Sequence, residues 1–293
     1  MELLAYAIIG GILYGIFFSL IGIGLNLIFG VMRIINLAHG QFIVLGGYAA
    51  WIISRHFGFN PLWGVPLSIV CAAVVGYPLY YAVVPRLQRS SDPEMLSFIL
   101  FFGIGQMLEA LTGLAFGADQ RSLPGEALGS GNIGLLGQQF PDSWWVAAVF
   151  SLAAIAGLYL YFAHTKLGYA TRAIMANRDE ALATGISVNR VSVIAFVAGL
   201  ALAGTAGVFL PYLLGSVSPD LGNELTTTSF AIVIIGSLGN PLGTVIGGLV
   251  FGLGTMLMQT YYSSWSNLVP YVLLLIIVLI RPTGLLGKTV RNA

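Results

Sequence analysis

The sequence predicts an all-α fold: a polytopic transmembrane helical bundle of roughly eight to ten spans, with two interrupted helices and a helical cytoplasmic loop. Three observations carry that expectation. Of 293 residues, 57% are hydrophobic and only 8% charged, whereas a soluble domain runs at about a quarter charged. The mean hydropathy is +0.91, and the apolar residues form continuous runs instead of the alternation of a β-barrel, so helices are the spanning element. One passage, Lys166 to Arg190, is polar yet carries its own helix signals. No separate soluble domain is visible, and residues 1–293 read as one membrane domain.

Composition also excludes. A formal net charge of +1 offers no basic surface for nucleic acid. Cys71 is the one cysteine and lies in an apolar run, which rules out a disulfide framework and a cysteine metal site. His39, His56 and His164 lack metal-ligand spacing, so no metal site is expected. The spans hold no converging acids, bases or nucleophiles, so no catalytic residues are expected either.

Taken in order, Met1-Glu-Leu-Leu lacks the basic start of a signal peptide, and Leu3 to Phe29 reads as a first span. Its glycines, Gly10, Gly11, Gly15, Gly22 and Gly24, let helices approach closely in lipid. Asn36-Leu-Ala-His-Gly40 is a polar break before a short apolar run from Phe42 to Ile53. Leu62 to Val84 is a span, and Arg86 and Arg89 mark a cytoplasmic turn after it. Pro93 to Phe116 spans again with Gln106 and Glu109 inside. Glu109 lies about 24 Å along that helix, near the outer interface, where a solvated or Arg121-paired carboxylate is expected. Gly117 to Asp142 reads as an external loop, with Asp119, Glu126 and Asp142 against Arg121. Trp144 and Trp145 open the next span, Ser143 to Ala163, in the position of an interfacial aromatic belt. Val191 to Leu214 follows, then an acidic external segment with Asp220 and Glu224. Thr226 to Leu238 and Leu242 to Tyr261 are separated by Gly239-Asn-Pro241. Leu268 to Ile280 leads to a basic tail with Arg281, Lys288 and Arg291.

In the polar passage, Lys166, Arg172, Arg178 and Arg190 outnumber Asp179 and Glu180, which places it in the cytoplasm. Gly168 opens a helical pattern through Met175. Asn177 reads as an N-cap with the acidic Glu180 three positions on, and Gly185 as the C′ residue. Counting spans from this loop gives an external N-terminus and a cytoplasmic C-terminus, with Arg55 and Arg121 as exceptions to the charge rule.

Backbone that leaves the helix at membrane depth is tolerated only where protein or water surrounds it. An interrupted apolar segment in each half of a chain points to a transport site. Asn36, His39 and Gly40 in the first break, with Gly236, Ser237, Gly239 and Asn240 in the second, are therefore candidate pathway residues. Two plainer readings stand beside this. The first break fits an ordinary cytoplasmic turn with an exposed His39 equally well, and Gly239-Asn-Pro241 is by composition a turn. Gly284-Leu-Leu-Gly-Lys-Thr289 looks like a nucleotide-binding loop, but Pro282 stands where that loop requires its first glycine. The chain itself is not expected to bind ATP or any other cofactor.

Ile35-Asn-Leu-Ala-His-Gly40, the loop Gly168 to Arg190, and Gly236-Ser-Leu-Gly-Asn-Pro-Leu-Gly-Thr244 together resemble the inner-membrane permease subunits of high-affinity branched-chain amino acid ABC importers. The resemblance covers nearly the whole chain. It implies a multi-pass permease of the bacterial inner membrane that pairs with a second, related permease, as a heterodimer or alternatively a homodimer. Two cytoplasmic ATPase subunits, which use ATP and Mg, and a periplasmic solute-binding protein would complete the importer. The cytoplasmic loop, residues 164–190, would dock into a cleft on an ATPase. Glu180-Ala-Leu-Ala-Thr-Gly185 resembles the Glu-Ala-Ala…Gly core of such loops, although the Ile-x-Leu-Pro that ends the wider pattern is missing. Arg172, Asn177, Arg178, Asp179, Glu180 and Gly185 are the coupling residues this implies. Branched-chain or other amino acids are the default solutes; urea, short amides and aromatic or small carboxylates are the alternatives. An ion-coupled secondary transporter, with Glu109 as its one clear ionisable candidate, or a passive channel is the rival class.

Overall fold

In the computed structural model, which describes residues 2–287, helices dominate. Lys288, Thr289 and Arg291 lie outside the described residues. The chain runs α1 (Glu2–Met32), α2 (His39–His56), α3 (Gly64–Leu87) and α4 (Pro93–Phe116). A two-stranded antiparallel hairpin follows, β1 (Asn132–Leu135) and β2 (Gln138–Pro141). Then come α5 (Asp142–His164), α6 (Lys166–Ala176), α7 (Arg178–Ala183), α8 (Val188–Leu213), α9 (Leu221–Gly236), α10 (Pro241–Tyr261) and α11 (Val269–Ile280). Among the described residues seven helical segments are long and apolar enough to cross a bilayer, so this is a multi-pass membrane protein. Two further helices, α2 of 18 residues and α9 of 16, pack among those seven, where the sequence predicts eight to ten spans. The hairpin stands where the sequence predicts only loop.

The helices sort by depth. The most apolar stretch of α1 is 78% buried, and that of the segment Ser263–Ile280, which ends in α11, only 6%. Both are apolar all round, so α1 is the axis of the bundle and α11 turns its side chains to lipid. Close helix crossings hold the axis. Gly11, Gly15 and Ser19 of α1 face Gly248 and Gly252 of α10, and a Cβ on Gly252 would stand 2.3 Å from the Gly15 nitrogen. Where α8 crosses α2, a Cβ on Gly207 would stand 1.8 Å from the Ile43 carbonyl oxygen. With lipid as apolar as the side chains, such close backbone packing is what drives association.

Two ends of the bundle can be told apart. At the hairpin end, Tyr6 stacks on Phe140 with ring centres 5.1 Å apart, and Trp144 packs edge-on against Tyr14 at 4.7 Å. Tyr48 stacks on Phe116 at 4.2 Å, and the Arg121 guanidinium lies 5.3 Å from the Trp51 ring centre. The opposite end carries α6 and α7. Three helical segments begin with the same device, a capping side chain directly followed by proline: Asn60-Pro61, Asp92-Pro93 and Asn240-Pro241. The cap satisfies an orphan N–H, and proline at the first position has none to lose.

Gly252→Leu and Gly207→Leu should each force the paired helices apart, at a cost of at least about 1–3 kcal/mol. A marked fall in the thermal midpoint of the detergent-solubilised protein would show it. Gly157→Leu, on α5 with open space around it, should leave the midpoint unchanged.

Candidate functional site

The first break begins and ends earlier than the sequence predicts. Residues 33–38 are non-helical, and His39 and Gly40 are the first residues of α2. Arg33 turns the chain with φ of 54°, and the chain then re-enters the bundle. The His39 Nε2 atom sits 3.0 Å from the Ile21 carbonyl oxygen, about three turns back along α1 from Met32, or roughly 16 Å. Asn36 and His39 are both fully buried, so the reading as a surface turn with an exposed histidine does not hold.

Backbone groups freed by the break are taken up by side chains. Ile35 N–H donates to Ser97 Oγ of α4 at 3.0 Å, and Ala38 N–H to Asn36 Oδ1 at 3.1 Å. Thr226 of α9 does double duty: its Oγ1 accepts from Gly40 N–H at 2.9 Å and lies 3.1 Å from the Leu37 carbonyl oxygen. Gly40 must be glycine, because a Cβ there would lie 1.9 Å from the Gly222 carbonyl oxygen. Asn36 Nδ2 and His39 Nδ1 are left buried with no hydrogen-bond partner.

The second break is a turn between antiparallel α9 and α10, as its composition suggests, but it is tied into the bundle. Ser237 has φ of 137° and Gly239 of 76°. Asn26 of α1 reaches it: Oδ1 accepts from Gly239 N–H at 2.6 Å, and Nδ2 donates to Thr244 Oγ1. Asn240 Oδ1 caps α10, accepting from Leu242 and Gly243 N–H. The chain after α11 closes the far side, with Leu286 N–H donating to the Gly236 carbonyl at 3.1 Å. Thus Asn36, His39 and Gly40 gather near one end of α9, and Gly236, Ser237, Gly239 and Asn240 at the other. They do not form one cluster.

In the polar passage α6 begins two residues before Gly168. Thr165 is its cap, accepting from Gly168 N–H at 2.8 Å. Gly168 is glycine for packing, since a Cβ would meet the Tyr161 carbonyl oxygen at 1.9 Å. The capping expectation for α7 matches: Asn177 Oδ1 accepts from Asp179 and Glu180 N–H, and its Nδ2 donates to Glu180 Oε1 at 2.6 Å. Gly185 follows with φ of 84°, and Ile186 N–H closes back on the Ala181 carbonyl, a helix end that needs a left-handed residue.

Arg172 and Arg178 of this loop have partners within the chain. Arg178 is half-buried and donates to Gln88 Oε1, just past α3, at 2.9 Å. Arg172 lies 5.1 Å from the Tyr169 ring centre and also lines a cleft of about 530 Å³ with Met175, Ser237, Gly239 and Asn240. The structure therefore brings Arg172, Met175 and Ala176 of the polar loop together with the second break. Asp179, Glu180 and Leu182 point outward, and Leu182 is 56% exposed.

Of the two arrangements expected for Glu109, solvated or paired with Arg121, the pair does not form. Arg121 is held by Trp51 and donates to the Phe116 carbonyl at 2.8 Å. Glu109 instead accepts from Asn223 Nδ2 at 2.9 Å, Gln41 Nε2 at 3.4 Å and Gln106 Nε2 at 3.5 Å. Sequence reasoning also missed Asn26, Ser97, Thr226 and Gln88. Each is a polar residue inside or beside an apolar run, and that was the available signal. A wide groove of about 780 Å³ between α3, α5 and α8 is walled by apolar residues such as Val65, Phe150 and Ala198. Without convergent polar groups it is a lipid-facing surface and not a solute site.

Asn26→Ala and Thr226→Val should each strand buried backbone groups and cost about 1–3 kcal/mol. Lower thermal midpoints than wild type are expected for both, with Thr226→Ser close to wild type because it keeps the hydroxyl.

The chain matches the family described as "Branched-chain amino acid transport system / permease component" over residues 7–278. It is 28% identical over 291 residues to the high-affinity branched-chain amino acid transport system permease protein LivH of Escherichia coli (strain K12), covering 95% of this chain and 94% of that one. With the probable branched-chain amino acid transport permease protein LivH of Methanocaldococcus jannaschii it shares 29% over 293 residues, covering 95% and 91%. In fold it is similar to the solved structure of PsaBC from Streptococcus pneumoniae in complex with Fab. The TM-score is 0.52 at 16% identity, over 97% of this chain and 93% of that one.

Proposed function

Since the chain belongs to the branched-chain amino acid transport system permease family, we propose that it is the permease of an ABC importer, moving a branched-chain amino acid across the membrane. Residues 1–293 act as one permease domain and pair with a second, related permease. Two ATPase subunits, using ATP and Mg, supply the driving force, and a solute-binding protein delivers the solute. This chain contributes no catalytic residue and no cofactor site.

One observation carries the coupling part of this reading: α9 has a buried break at one end and a clamped turn at the other, and the polar loop reaches that turn through the Arg172 cleft. Movement of α6 and α7 by an ATPase would reach α3 through Arg178 and Gln88. It would reach α9 through the cleft. Asp179, Glu180 and Leu182 face outward as the docking surface, with Asn177 and Gly185 fixing the short helix that presents them. Orientation follows from the basic residues. Arg33, Arg86, Arg89, Lys166, Arg172, Arg178 and Arg190 all fall at the α6–α7 end, which by the positive-inside tendency supports a cytoplasmic position for that end. The hairpin end and the N-terminus are then periplasmic. An ion-coupled carrier is disfavoured by the match to a transport-system permease component over residues 7–278.

Co-purification with an ATPase pair, and leucine uptake into proteoliposomes that requires ATP and no ion gradient, tests the class. Within that complex, Glu180→Ala and Gly185→Val should lower coupled uptake about tenfold, in line with loss of a helix cap, while the complex still inserts. Coupling of normal strength in both variants would remove the loop from this role. Asn36→Ala and His39→Ala should slow uptake in complexes that still assemble. Wild-type uptake in both would take those residues out of the pathway.

A further inference from the structure

On the seam between α4 and α9, polar side chains meet on a face the bundle does not cover. All three hydrogen bonds to Glu109 fall on Oε2, and all three donors are amides: Asn223, Gln41 and Gln106. Gln106 also donates to Asn223 Oδ1 at 3.4 Å. Gln106 and Asn223 are exposed and Glu109 is half-buried. Behind them Gln41 is only 1% exposed. Its Nε2 donates to the Pro219 carbonyl at 3.2 Å as well as to Glu109. Those two acceptors fix which way the amide points, and its Oε1 is left buried without any hydrogen-bond partner.

A carboxylate amid amides, on a helix otherwise as apolar as α4, is not a face that can be turned to hydrocarbon. It must face water or a partner. The cluster also adjoins the first break, because Gln41 directly follows Gly40. What the cluster lacks is a cation: Glu109 brings one negative charge, its Oε1 takes no hydrogen bond, and none of its partners is positive. That is complementary to an ammonium group, which carries one positive charge and three donors.

We infer that Glu109 and Gln41, with Gln106 and Asn223 at the rim, form a binding station for the ammonium group of the transported amino acid. The inference rests on the proposed import function and narrows it. Urea and short amides carry no cation to place there, and a carboxylate solute without an ammonium group would be repelled.

The test uses the assembled complex with its binding protein in proteoliposomes, following the initial rate of ATP-driven uptake of radiolabelled leucine. Glu109→Gln keeps an oxygen for the amides of Asn223 and Gln41 but removes the charge. It should slow uptake about tenfold, the scale of one charge-assisted hydrogen bond, whereas Glu109→Asp should retain most of the rate. Gln106→Lys, at an exposed position, sets a tethered ammonium beside Glu109 and should slow uptake to a similar degree. This second variant decides the matter if Glu109→Gln fails to assemble. Wild-type rates in both Glu109→Gln and Gln106→Lys would overturn the station. So would equal loss in Glu109→Gln and Glu109→Asp with normal uptake in Gln106→Lys, the pattern of a purely structural carboxylate. A wild-type complex that moves no leucine would instead defeat the import reading itself.

Discussion

Backbone that leaves the helix inside an apolar bundle must find a partner for each N–H and C=O, and this requirement organises the chain. Around residues 33–38 the partners come from three directions. Ser97 of α4 takes the Ile35 N–H, Asn36 takes the Ala38 N–H, and Thr226 of α9 takes the Gly40 N–H. The bonds to Ser97 and Thr226 are also cross-links, so the break fastens α4 and α9 around it. The same logic holds at the second break, where Asn26 of α1 serves the Gly239 N–H.

This arrangement gives α9 an unusual place. It has only 16 residues, too short to cross a bilayer alone, and both its ends are fastened to irregular backbone. Held in this way, α9 links the Thr226 contact at one end to the Asn26–Gly239 clamp at the other. The polar loop is fastened as well, by Gly168 against Tyr161 at the end of α5 and by Arg178 against Gln88 beyond α3. Only its outer face, with Glu180 and Leu182, is left open. In the proposed importer, an outside push on α7 therefore has defined routes inward and little slack.

What the sequence made legible is what depends on neighbouring residues. Asn177, Glu180 and Gly185 act over one short helix, so their spacing alone identified cap and stop. The Asn-Pro and Asp-Pro pairs at positions 60, 92 and 240 are equally local signals. The depth of Asn36 and His39 was not legible, because it depends on Ile21, Ser97 and Thr226, which are distant in sequence. The partner of Glu109 was misread for a related reason. Arg121 is near in sequence and opposite in charge, but Trp51 and the Phe116 carbonyl hold it, while amides from positions 41 and 223 arrive by folding. Gly168 looked like a helix start because a close contact and a helix end select the same residue. The hairpin lacked its usual signal: its turn is Leu136-Gly137 with φ of 51° and 77°, where Asn or Asp would normally stand before the glycine.

Charge scarcity makes the remaining placements informative. In a chain that is only 8% charged, the basic side chains fall at the bundle ends, and Glu109 stands apart from them with its amides between α4 and α9. The groove between α3, α5 and α8 is the reverse, a broad surface with almost nothing polar. A bundle surrounded by lipid on all sides would have no reason for that contrast, since every outward face would meet the same solvent. One side of this protein is built for hydrocarbon. The other, where α4 and α9 leave Gln106 and Asn223 uncovered, is built for something polar, and in a transport protein the candidates are the partner permease and the solute that passes between them.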